Sequence, residues 1–179
     1  MKFKSTILLL LVMAFVVAVA GCAGSDNPKN ESQMASTPTQ TVSTPSASNQ
    51  DAQWVSLMQT QSAIIQADLN AISSTQTPNA KDPFDAENLS KAGQKLVDDT
   101  NTAITENDKY TVSDTLKVAQ KYWRMALQNY NSGGQFTVFG ANDYKKGDTT
   151  SSSTNLEKAV KFISSANGDV VLATQSLKK

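Results

Sequence analysis

Hydrophobic residues along this chain form one continuous apolar block near the start and, well beyond it, four stretches in which they recur every three or four positions. The first periodic stretch runs from Asn49 to about Thr75. Trp54, Leu57, Met58, Ile64, Ile65, Leu69 and Ile72 recur without an intervening Gly or Pro, the spacing that puts apolar side chains on one face of an α-helix. Gln61 and Asp68 fall close to the same stripe. The segment from Ser73 to Asn79, with Pro78 near its end, reads as a loop. Asp82-Pro83-Phe84-Asp85 predicts the start of a second helix: Asp82 accepts from free backbone amides, Pro83 suits the first turn, and Asp85 complements the dipole. Leu89, Ala92, Leu96, Val97, Ala103 and Ile104 give that helix its apolar face, and it is expected to end near Glu106-Asn107-Asp108.

Thr111-Val112-Ser113-Asp114 has the form of a capping box and predicts the start of a third helix. Its stripe is Leu116, Ala119, Trp123, Ala126 and Tyr130, and the same register continues through Gly133, Thr137, Gly140 and Tyr144. Ser132-Gly133-Gly134 reads locally as a break. Either the helix runs on to about Asn142, roughly 45 Å long at 1.5 Å per residue, or it stops near Asn131 and a short irregular piece follows. Two glycines cost about 1 kcal/mol each inside a helix. The unbroken register nevertheless favours continuity, with the glycines admitting a neighbouring backbone. Tyr144 to Ser153 reads as an exposed loop, and Thr154-Asn155-Leu156-Glu157 as a second capping box. Leu156, Ala159, Val160, Ile163, Ala166, Val170, Ala173 and Leu177 then mark a last helix, mildly interrupted by Gly168. Four amphipathic helices, short polar connections and no convincing strand predict an all-α domain over 50–179, an antiparallel four-helix up-down bundle whose chain enters and leaves at one end.

The apolar block changes where this bundle is expected to work. Met1-Lys2-Phe3-Lys4 is a short positive segment. Ile7 to Val19 is an apolar run of secretory-signal length, short for a membrane span. Val19-Ala20-Gly21-Cys22 follows, and Cys22 is the only cysteine in the chain. This aliphatic-small-small-Cys pattern resembles the lipobox of prokaryotic lipoproteins. The resemblance implies a lipoprotein signal peptide over 1–21 and a lipid-modified Cys22 as the first mature residue, anchored at the outer face of the cell membrane. Each methylene buried in lipid contributes about 0.8 kcal/mol, so two or more chains hold a domain firmly. Residues 22–49 are rich in Ser, Thr and Pro and poor in large apolar side chains, the composition of a disordered tether.

Charge and chemistry then narrow the function. Lys2 and Lys4 leave with the signal, so 16 basic groups fall to 14 against 16 acidic ones, a net of −2. No basic surplus points to nucleic acid as a partner. The chain has no histidine, so the commonest general base and the commonest ligand of zinc, copper and iron are missing. Di-iron bundles need Glu-x-x-His pairs, and the 133–134 glycines lack the Lys-Ser/Thr of a phosphate loop. Asp98-Asp99 and Glu106/Asp108 read as a solvated face and a helix end rather than a catalytic pair. No metal, no cofactor and no enzymatic activity are expected. Asn30-Glu31-Ser32 and Asn88-Leu89-Ser90 match the N-glycosylation pattern, which matters only in a cell that glycosylates exported protein.

The aromatic residues Trp123, Tyr130, Phe136 and Phe139 are the candidate ligand or partner face. They form either a wide buried stripe or an apolar groove that receives something, and core packing is the commoner use of such a stripe. Lipobox, tether and helical domain together, with Trp123-Arg124-Met125-Ala126-Leu127-Gln128-Asn129-Tyr130, are similar to small uncharacterised helical surface lipoproteins of archaea and bacteria. That resemblance implies fold and location, and carries no activity. The expected function is a non-enzymatic, lipid-anchored protein that docks to another envelope component. The alternative is a ligand-binding or sensing bundle accessory to a transporter or receptor. A ligand site predicts a cavity between helices with aromatics and buried polar groups such as Gln61 or Asp68. A docking module predicts a filled core and an apolar patch outside.

Overall fold

A computed structural model describes residues 47–77 and 82–178. They form four α-helices: α1 (Ala47–Ser74), α2 (Ala86–Asn107), α3 (Lys117–Lys145) and α4 (Thr149–Ser176). Each packs on the next in the chain, α3 against α4 most extensively, which is the expected all-α up-down bundle. The expected signal peptide, the expected lipobox with Cys22, Asn30 and nearly all of the expected tether lie outside the described residues. Ala47 to Asn49, expected at the tether's end, already belong to α1.

Helix α3 is continuous through Gly133-Gly134 because its neighbours need those positions empty. A Cβ on Gly133 would stand 2.7 Å from Ile163 Cγ1 of α4, and one on Gly140 would stand 2.6 Å from Leu156 Cγ. Residues seven apart recur on one helix face, so these two glycines open a channel for α4. Gly134 does the same toward α2, where it meets Gly93 and Val97. Side chains at these points would hold the helices apart and forfeit the dispersion contacts of close packing.

Three helix starts differ from the sequence reading. The cap of α2 is Asp85, whose side chain accepts from the amides of Glu87 and Asn88 at 3.1 Å each. Asp82 instead accepts the Tyr144 hydroxyl at 2.8 Å, while Phe84 is buried against the Tyr144 ring, 4.7 Å between centroids. Burying Phe84 holds this segment out of the helix. Helix α3 starts at Lys117 after Leu116, which makes no side-chain cap. The Thr111–Asp114 box is unused: Val112 is buried, the Ser113 amide donates to Asp51 of α1 at 2.8 Å, and Asp114 pairs with Lys117. Helix α4 starts at Thr149, capped by Asp148, which accepts from the Ser151 amide at 2.9 Å. Most of the expected Tyr144–Ser153 loop and the Thr154 box are therefore helical, because Ser152 is buried in the notch above Gly140.

The α3–α4 connection is compact. Gly147 has φ 82°, its amide donates to Tyr144 O at 2.9 Å, and the Asp148 amide donates to Asp143 O at 3.0 Å. This pair of bonds around a left-handed glycine closes α3 as a Schellman motif, and the next residue caps α4.

Buried amides join the other helices. Trp54 Nε1 of α1 donates to Asn107 Oδ1 at the end of α2, 2.9 Å away. Trp123 Nε1 of α3 donates to Gln61 Oε1 of α1 at 3.0 Å, and Gln61 Nε2 donates to the Ala103 carbonyl of α2 at 3.2 Å. One glutamine thus ties three helices together and leaves no unsatisfied indole.

Candidate functional site

Two cavities lie between α1 and α4. Beside the last turn of α1, Ile72, Phe84, Leu89, Leu156 and Ala159 leave a void of about 20 Å³, room for one water at most. Between the middle of α1 and the last turns of α4 lies a groove of about 370 Å³. Met58, Ile65 and Leu69 of α1 form one wall, and Val170 and Ala173 of α4 with Leu177 at its C-cap the other. Trp123 and Tyr130 of α3 make the floor. This volume falls within the range of about 300–1,000 Å³ found for ligand sites.

The lining is uncharged. Its remaining members are Gln59, Ser62, Ala63, Gln66 and Thr174, and most of its polar groups are already engaged. Ser62 Oγ donates to Met58 O, Thr174 Oγ1 to Val170 O, and Gln66 Nε2 to Asn70 Oδ1. On the floor, the Tyr130 hydroxyl donates to Asn167 Oδ1 at 2.6 Å. Burial pushes the Tyr130 phenol well above its usual range, and nearby Asp169 adds to the shift, so the ring stays neutral.

Among the four candidate aromatics, the structure brings Trp123 and Tyr130 together in the groove and sends Phe136 and Phe139 elsewhere. Phe136 stacks on Phe162 of α4, 5.5 Å between centroids and 7° between planes, and meets Phe139 edge-on at 5.9 Å. Lys158 Nζ lies 5.2 Å from the Phe136 ring centre, and Phe139 is 50% exposed. Phe136 is half-buried at the edge of the α3–α4 contact and Phe139 is exposed beside it, so neither joins the core stripe of Trp123 and Tyr130. Sequence reading missed Phe162 and Lys158 as members of this cluster, whose signal is their spacing of four on the outer side of α4.

Gln61 and Asp68 are buried as their stripe suggests, but they turn toward α2 and do not line the groove. Asp68, 1% exposed, accepts from Lys95 at 2.8 Å, and Lys95 also pairs with Asp99. The second Asp68 oxygen has no partner among the described residues. Burial pushes the Asp68 carboxyl above its ordinary value; Lys95 pulls it back only in part, and Asp99 pushes it further up.

The other carboxylates considered for chemistry are engaged at the surface. Asp98 accepts from Gln94, Glu106 pairs with Lys109, and Asp108 holds Arg124 through both carboxylate oxygens. The Arg124 guanidinium keeps the Asp108 carboxyl below its usual range. No group of three or more His, Cys, Asp and Glu among the described residues is arranged to hold a metal. No described helix is long and apolar enough to cross a membrane. Asn88 is exposed in the first turn of α2, with its amide on Asp85.

Compared with known protein families, characterised proteins and solved structures, the chain matches none.

Proposed function

We propose that this chain is a non-enzymatic, lipid-anchored protein of the outer membrane face, attached through Cys22, whose bundle binds an uncharged ligand in the α1–α4 groove as an accessory to a transporter or receptor. The observation that carries the reading is the aromatic-floored groove between α1 and α4. A bundle built only as a spacer gains nothing from leaving Met58, Ile65, Leu69, Trp123 and Tyr130 around an open groove, since every apolar contact forgone there lowers stability. Anchoring rests on the lipobox residues Val19, Ala20 and Gly21 before Cys22.

Docking onto another envelope component is the second reading, and the Phe136–Phe139–Phe162 cluster with Lys158 favours it. Phe139, half exposed at the edge of two half-buried rings, gives this group the apolar surface that a docking module requires.

Affinity purification of the tagged full-length protein from its own membranes, followed by native mass spectrometry, separates the two. A stoichiometric small-molecule mass on the chain supports the groove reading. A stoichiometric protein partner without such a mass replaces it with docking. A bare chain overturns both.

A further inference from the structure

The lining of the groove also specifies the class of ligand. We propose that the groove takes one hydrocarbon chain of a membrane lipid, with the head group left outside among Gln59, Gln66 and Thr174; this rests on the groove reading above.

Three observations carry it. First, no lining residue is charged and the floor hydrogen bonds are closed within the protein. A ligand group needing a polar partner inside the groove would be left unsatisfied, at a cost that aliphatic carbon does not incur. Second, the groove is slender. Met58, Ile65, Trp123, Tyr130 and Ala173 all line it and all count as buried. A partner helix, about 10–12 Å across with its side chains, needs walls far more open than these. Third, the groove runs lengthwise. From Met58 to Leu69, α1 advances roughly 16 Å at 1.5 Å per residue, and α4 advances about 10 Å from Val170 to Leu177. A space of about 370 Å³ drawn out over that length admits an extended chain.

Tryptophan fluorescence tests the proposal directly, because the two tryptophans are placed differently. Trp123 floors the groove, whereas Trp54 is 0% exposed and lies outside it. The full-length chain is anchored in vesicles of dioleoyl phosphatidylcholine or of the same lipid brominated at carbons 9 and 10. Bromine quenches an indole only at close range. The expected result is loss of the Trp123 component of emission in brominated vesicles, and no loss in Trp123→Phe. Ala63→Phe supplies a variant at an exposed rim position. Ala63 itself is not part of the core; a ring at this position can occupy the groove from its rim, and should abolish the quenching with an unchanged circular dichroism spectrum.

Unquenched Trp123 in the parent chain overturns the proposal, as does equal quenching in Ala63→Phe, which would report bilayer contact without entry. Native mass spectrometry distinguishes this failure from that of the groove reading. A non-lipid small molecule displaced by Ala63→Phe, with Trp123 unquenched, removes the hydrocarbon chain and leaves the groove as a ligand site. No displaced mass and no quenching removes both.

Discussion

Gly134 and Gly93 face each other across the α2–α3 interface so closely that a Cβ on Gly134 would stand 2.9 Å from the Gly93 carbonyl oxygen. Backbone cannot swing aside as a side chain can. Gly134→Ala gains about 1 kcal/mol of helix propensity but meets an overpacking cost of about 1–3 kcal/mol, so a net loss on the order of 1 kcal/mol is expected in urea unfolding. Gly168 is the control. It sits in α4 with nothing within 4 Å of its absent Cβ, and Gly168→Ala should stabilise the protein by about 1 kcal/mol. Equal responses from the two variants would mean that α3 is not pressed against α2.

The glycines also show where sequence reading succeeds. The register Trp123, Ala126, Tyr130, Gly133, Thr137, Gly140 runs unbroken across a dipeptide that looks locally like a stop, and all six residues are buried in one continuous helix. A three-four pattern reports which side of a helix must be covered, and glycine satisfies that requirement when the cover is backbone. Helix starts were less legible. Asp82, Thr111 and Thr154 each satisfy a capping pattern, yet the starts actually used are set by the burial of Phe84, Val112 and Ser152. Those contacts lie across the bundle, beyond the reach of a four-residue motif. The groove was illegible for a similar reason: periodicity tells that α1 and α4 have apolar stripes, but not how far apart the stripes stand.

The Trp123–Gln61–Ala103 bridge gives a second prediction. Gln61→Leu has about the right volume but leaves a buried indole N–H without its acceptor. An unsatisfied buried donor costs about 1–3 kcal/mol, so the midpoint of denaturant unfolding should fall accordingly. Emission should also shift to the blue, since Trp123 loses the bond that stabilises its excited state. A variant of unchanged stability and spectrum would show that α1 is held to α3 by packing alone.

The α3–α4 connection concentrates two separable contributions in adjacent residues. Gly147 holds φ 82°, which costs a side-chain-bearing residue roughly 1–2 kcal/mol, so Gly147→Ala should lose about that much. Asp148→Ala removes the α4 cap at the Ser151 amide, typically worth about 1 kcal/mol. Neighbouring sites couple, and the double variant is expected to lose less than the sum, because α3 unwinding already frees the cap. Hydrogen exchange at Ser151 and Ser152 should accelerate in both single variants.

Phe139 is the place to test the outer cluster. It is half exposed and touches Phe136 at the edge, so Phe139→Ser should change stability by less than about 1 kcal/mol, as surface substitutions usually do. A protein partner recovered from native membranes would then be lost with the fold intact if the cluster is its docking face. Retention of that partner by the folded variant would assign docking elsewhere.

Asp68 sets an unusual sign for part of the pH dependence. Its folded pKa is raised, first by burial, so the folded protein holds the proton more tightly than the unfolded chain. The resulting stabilisation is fully present below the ordinary carboxylate range and is lost as pH rises through the raised value. Glu87, Asp108, Asp114 and Asp148 act in the opposite sense. They are held below their usual values by Lys91, Arg124, Lys117 and the Ser151 amide respectively, so their contribution is present above that range and lost as pH falls. Subtracting the Asp68→Asn profile from that of the parent chain isolates Asp68. An asparagine can still accept from Lys95, and its amide can donate toward Asp99. The substitution removes the desolvation cost of a buried charge, and Lys95, mostly in water, keeps Asp99 as its partner. Asp68→Asn should therefore match or exceed the parent at pH 7, and lose that advantage as the pH is lowered toward 4. Lys95→Met removes the counter-charge instead and should be destabilising at pH 7 by about 1–2 kcal/mol, less than the 3–5 of a fully buried pair, because Lys95 is mostly in water. An Asp68→Asn advantage that grows on acidification would reverse the sign and show that Lys95, rather than burial, governs this carboxyl.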